Sequence, residues 1–117
     1  MTSDIKESAI LCVANSYNKK YYLNPAYSAF PEGIKEELQI ACVVFTEAVG
    51  GIITLFFDDA GNLTIATSAE DYDPSYDEIG ADLKVKELRS EKAELFGAIE
   101  TYYKVKVLGQ PLPEDIG

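Results

Sequence analysis

The stretch Ile52-Ile53-Thr54-Leu55-Phe56-Phe57-Asp58-Asp59-Ala60-Gly61-Asn62-Leu63-Thr64-Ile65-Ala66-Thr67 is a strand, a turn and a second strand. Two runs rich in β-branched and aromatic residues flank a cluster of turn formers, which is the pattern of a hairpin. Gly61 suits the left-handed position of a three- to five-residue loop, and Asp59 and Asn62 supply the short polar side chains that such loops favour. The hairpin sits between two segments of helical periodicity, and that placement decides the fold class.

On its N-terminal side, Pro31 to Val49 is ambiguous by composition, because Val43-Val44-Phe45-Thr46 resembles a strand. Periodicity resolves it. At about 100° per residue, Ile34, Leu38, Ala41, Cys42, Val44, Phe45, Ala48 and Val49 fall in one arc of about 160°, with Lys35, Glu36, Gln39 and Thr46 opposite. Pro31 suits the first turn, Glu32 favours the positive end of the helix dipole, and Gly50 is placed for a left-handed C-terminal cap. Ile40 and Val43 lie outside the arc and are the candidates for a second contact, such as a subunit interface.

Further upstream, Ile10 to Ala14 and Lys19 to Leu23 are apolar or aromatic runs separated by Asn15-Ser16-Tyr17-Asn18, which suggests a first hairpin. An N-terminal helix running into Ala14 also fits this segment. Downstream of the second hairpin lies a polar connector, Ser68 to Asp82, acidic over residues 70–82. A second helix follows from Lys84 to Lys106, its stripe made by Val85, Leu88, Leu95, Phe96, Ile99, Tyr102 and Tyr103, with Gly109 and Pro111 as stop signals. The expected order is ββαββα: an α+β, two-layer domain over residues 1–109, with about four antiparallel strands, two helices on one face, and a loose tail over residues 110–117.

The combination of Asn15-Ser16-Tyr17, Lys20-Tyr21-Tyr22-Leu23-Asn24, Glu37-Leu38-Gln39, Val49-Gly50-Gly51, Gly61-Asn62-Leu63, Tyr76-Asp77-Glu78-Ile79-Gly80 and Tyr102-Tyr103 resembles an uncharacterised family of short bacterial proteins, mostly from anaerobic Gram-positive bacteria. The similarity spans about Ile10 to Gly109. It implies a bacterial cytosolic protein and carries over no activity, ligand or site residue.

Composition narrows the function. At 117 residues, 47% of them apolar, one core suffices without metal or disulfide, and no apolar run is long enough to span a bilayer. The N-terminal Met1 to Glu7 lacks the features of a secretory signal, so the expected location is cytoplasmic. Cys12 and Cys42 lie inside apolar runs, where a free thiol acts as a small hydrophobe. A net charge of −10 opposes phosphate-backbone binding, so no nucleic acid is expected, and no membrane. The acidity is local: Glu70, Asp71, Asp73, Asp77, Glu78 and Asp82 stand together with no basic residue among them.

The chain has no His, no CxxC, no Walker A loop and no GxGxxG, so it lacks an imidazole base, a His-built metal site and the common phosphate cradles. The expectation is a non-enzymatic interaction or regulatory module, homodimeric or with another protein partner, and without a cofactor. The alternative is a small-ligand or divalent-cation-binding domain. Its cation would sit among Asp58, Asp59, Asp71, Asp73 and Asp77, although an EF-hand pattern starting at Asp71 fails at Tyr76, where Gly is required. Lys92, within the stripe of the last helix, either loses its proton, pairs with a carboxylate or extends its head into water. The Tyr clusters suit interfaces and pocket mouths. If the first hairpin meets the last helix, Asn15, Tyr22 and Tyr102 line one groove; Tyr17 and Lys92 complete the candidate binding residues.

Overall fold

A computed structural model describes residues 6–71 and 73–111. The expected loose tail falls almost wholly outside this range, as do Tyr72 and the first five residues.

Four strands, β1 (Ile10–Asn15), β2 (Lys20–Leu23), β3 (Ile52–Phe57) and β4 (Leu63–Ser68), form one antiparallel sheet in the order β2-β1-β3-β4. Both expected hairpins are present. In the second, Asp58 closes the loop: its Oδ1 accepts from the N–H groups of Ala60 and Asn62, each at 2.9 Å, and Gly61 takes a φ of +88°. These bonds hold the Asp58 carboxyl below its ordinary range, the Asn62 N–H contributing most.

Helix α1 (Glu32–Val49) ends at Gly50, whose φ is +82°. It packs on β1 and β3. The face it buries is rotated from the expected arc: Leu38, Ala41, Cys42, Phe45 and Thr46 are buried, whereas Val44 is 57% exposed and Ala48 lies outside. The reason is that the helix has two unequal flanks. One faces the first hairpin and draws Val43 and Thr46 inward. The other faces a neighbouring helix across a shallow groove lined by Ile40, Val44 and Ala48.

The second expected helix corrects to two, α2 (Glu78–Glu91) and α3 (Ala93–Lys106), so the described residues carry three α-helices and the ββαββα order does not hold. α2 starts inside the expected connector, six residues before Lys84. The join is Lys92, with φ −110° and ψ 26°. Leu88 and Leu95 both lie in the core, but Lys92 between them turns its ammonium to Glu37 of α1, 3.4 Å away. An unbroken helix would press that charge into the apolar stripe, which costs far more than a bend.

The core lies between the helices and one sheet face, where Cys12, Ala14, Ile53, Leu55, Phe57 and Leu63 alternate inward. At one end Tyr103 stacks on Phe57, with ring centroids 3.8 Å apart and planes 6° from parallel. Tyr27 joins this group, and burial pushes its hydroxyl up to about 12.

Candidate functional site

A concavity of about 610 Å³ lies between the first hairpin and the hairpin-facing flank of α1. Local sequence explains the space. β2 is a short edge strand, α1 lies over β1 and β3, and the side chain of Ala14 and the bare backbone of Gly50 fill little of the gap. Asn15, Lys19 and Lys20 stand on the hairpin wall; Gln39, Val43, Thr46 and Glu47 stand on the helix wall.

The hairpin wall is fixed by its own turn. Asn15 Oδ1 accepts from the Tyr17 N–H at 2.8 Å, an Asx turn. Lys19 then takes a left-handed φ of 55°, uncommon for a residue with a Cβ. The N–H and hydroxyl of Ser16 both donate to the carbonyl of Gly51, at 3.0 and 2.8 Å, tying the hairpin to the junction of α1 and β3. Gly51 is required there: its φ is +72°, and a Cβ would come within 2.5 Å of the Ser68 carbonyl and 2.7 Å of the Tyr76 ring.

A second tie comes from the connector. The Tyr17 hydroxyl donates to Asp73 Oδ2 at 2.5 Å and accepts from the Glu70 N–H at 3.1 Å. The hydrogen bond from Tyr17 holds the Asp73 carboxyl below its ordinary range, and the same bond pushes the Tyr17 phenol up. The acidic connector is thus partly employed in fastening the loop beside the cavity.

Behind the cavity lies an enclosed polar group. Tyr21 lines the cavity, yet its hydroxyl is enclosed without a hydrogen-bond partner among the described residues. Burial pushes its ionisation up, and the neighbouring thiols of Cys12 and Cys42 add to the effect. Those thiols are free, fully buried and 3.9 Å apart. Their mutual hydrogen bond, with burial, pushes Cys42 up, so it stays a thiol at neutral pH and is not an activated nucleophile.

The expected binding residues separate. Asn15 lines the cavity and Tyr17 braces its loop. Tyr22 points the other way, 50% exposed on the outer sheet face. Tyr102 packs on Phe30, its hydroxyl 3.3 Å from the Ala29 carbonyl, and Lys92 pairs with Glu37. The groove of Asn15, Tyr22 and Tyr102 therefore does not form. Ile40, 63% exposed, lines the groove beside α2 and Val43, half-buried, lines the cavity wall; three residues apart, they are neighbours on α1.

The expected cation group does not assemble either. Asp58 and Asp59 sit beyond the far end of β3 from the connector that carries Asp71, Asp73 and Asp77, about 17 Å along the strand. Among the described residues no three acidic or thiol groups converge for a metal.

Sequence reasoning passed over Tyr21, Lys19, Lys20, Gln39, Thr46 and Glu47. A signal existed for Tyr21, since two-residue alternation puts it on the same face as Leu23 and opposite Tyr22. None existed for the helix wall, because its residues become a site only when the hairpin is laid across them.

The chain belongs to a family of unknown function (DUF6145), whose model matches residues 8–111. No curated protein and no solved structure matches it. Among the described residues, no helix is long and apolar enough to cross a membrane.

Proposed function

We propose that this protein is a non-enzymatic regulatory module of the bacterial cytosol that works by binding a small molecule in the cavity between the first hairpin and α1. One observation carries the reading: a concavity of about 610 Å³ falls within the roughly 300–1,000 Å³ of small-molecule sites, its lining mostly polar or charged with Ala14 and Val43 as apolar contacts. Support comes from the ties around it. Ser16 to Gly51 and Tyr17 to Asp73 hold the loop in place, so a ligand meets a preformed wall. Cys42, behind the cavity, has its thiol pushed up by the Cys12 hydrogen bond and by burial and is no activated nucleophile, which favours binding over turnover.

Amide chemical-shift mapping against a fragment library tests this. The expected result is that binders perturb residues 14–21 and 39–50. A library with no binders, or binders that map elsewhere, would end the reading.

A second reading, self-association, is favoured by the uncovered face of the sheet, where Tyr22, Val13, Thr54 and Ala66 form a row across all four strands. The two readings are compatible, because the cavity opens on the other side of the hairpin.

A further inference from the structure

Resting on the cavity as a ligand site, we propose that its ligand is a small zwitterion, from a bulky amino acid to a dipeptide in size, with its carboxylate toward Lys19 and Lys20 and its ammonium toward Glu47. The two walls carry opposite charge. Lys19 and Lys20 stand on the hairpin side, Glu47 on the helix side, and all three are exposed to solvent.

Among the described residues the ion pairs are Lys35 with Glu32, Lys84 with Glu87, and Lys92 with Glu37. Lys19, Lys20 and Glu47 join none of these, although they share one cavity. In a chain with twenty acidic residues and ten basic ones, two adjacent lysines without an acidic partner are a local excess of positive charge. Across the gap, α1 ends at Gly50, so the negative end of its dipole reinforces Glu47. A ligand bearing one charge of each sign satisfies both walls; a simple anion leaves Glu47 opposed, and in a protein of net charge −10 it also meets an unfavourable field.

Size and polarity fit the same class. The volume holds roughly twenty waters at about 30 Å³ each, which is room for side chains beyond those of the smallest amino acids. Gln39 and the amide nitrogen of Asn15 make no side-chain hydrogen bond among the described residues, so they remain available to a peptide or carboxyl group, while Val43 and Ala14 offer apolar contact.

Titration calorimetry with the common amino acids and a set of dipeptides, each beside its N-acetyl and C-terminal amide counterpart, and with inorganic phosphate, tests the assignment. Saturable binding of at least one free zwitterion is expected, weakened about tenfold when either end is blocked, the loss of one charge-assisted contact of about 1.4 kcal/mol. Glu47→Gln should erase the preference for a free amine, and Lys19→Gln with Lys20→Gln the preference for a free carboxylate; these positions are exposed, so both variants fold. If phosphate or the N-acetyl forms bind as well as the free zwitterions, the class is wrong while the cavity remains a ligand site. If no probe binds, the zwitterion is overturned, and the fragment mapping separately decides whether the cavity binds anything.

Discussion

A single hydrogen bond between Tyr17 and Asp73 sets two ionisations at once. The phenol donates to the carboxylate, so the bond has its full, charge-assisted strength only while Tyr17 is protonated and Asp73 is charged. Asp73 is held below its ordinary range, and its contribution is therefore present above about pH 4 and lost as pH falls through the lowered value. Tyr17 is pushed above its ordinary value near 10, and its contribution is present below that and lost as pH rises through the raised value. The stability difference between wild type and Tyr17→Phe should consequently be greatest on the plateau between those limits and shrink at both extremes. Urea unfolding across pH measures it, and carboxyl NMR should find Asp73 returned toward about 4 in the variant. A difference that stays flat across the acid limit would mean that Tyr17 contributes only by packing. Both residues are solvent-accessible, so the pair organises the loop rather than anchoring the fold.

At the scale of elements, the first residue on the free edge of β4 is capped by side chains from two helices. The Leu63 N–H donates to Glu100 Oε2 of α3 at 2.7 Å, and Arg89 of α2 donates to the Leu63 carbonyl at 3.1 Å. An edge strand with unpaired backbone groups invites association, and here the first residue of the strand is capped instead. Glu100→Ala should cost about 1.5–3 kcal/mol, the range for a hydrogen bond to a charged group, and Glu100→Gln less, because the amide oxygen still accepts. Thermal unfolding reads both, and equal losses would deny the bond its role. This contact was illegible in the sequence, since it joins residues 37 positions apart through a charge that looks like ordinary helix surface. The second hairpin, by contrast, was legible almost to the residue, because alternation and Gly61 are local signals, although Asp58 and not the expected Asp59 closes its loop. Helix α1 was legible in extent but not in orientation; Thr46 is buried and Val44 exposed because of what lies across each flank, which no periodicity contains. The division between α2 and α3 was half legible: Lys92, four residues after Leu88 in the apolar stripe, was the odd residue, and a bend rather than a buried charge is the lower-energy answer.

For the molecule as a whole, charge and shape act against each other. The chain carries a net charge of −10, yet the uncovered sheet face shows rows of Tyr22, Val13, Thr54 and Ala66, and of Ile10, Phe56 and Thr64, with no carboxylate among them. A second copy of this chain is the partner that such a face suits, because stacking two neutral sheets keeps the acidic connectors out of the contact. Four strands about 4.8 Å apart, three of them six residues long and one four, present only about 350 Å² per partner, less than half of the roughly 800 Å² of a standard interface. Pairing should accordingly be weak and concentration-dependent, with repulsion between the two acidic chains opposing it. Raising ionic strength from about 0.01 M to 0.15 M shortens the screening length from about 30 Å to about 8 Å, which weakens that repulsion and leaves the apolar contact intact. Sedimentation equilibrium should therefore show association that strengthens with salt and disappears in Tyr22→Glu, a substitution at a half-exposed position of an edge strand that leaves the core untouched. A chain that stays monomeric into the millimolar range at both salts would remove the sheet-face dimer. Association that weakens with salt would place the contact on opposed charges, and the face of Tyr22 and Val13 would then be simply the solvent side of a two-layer fold.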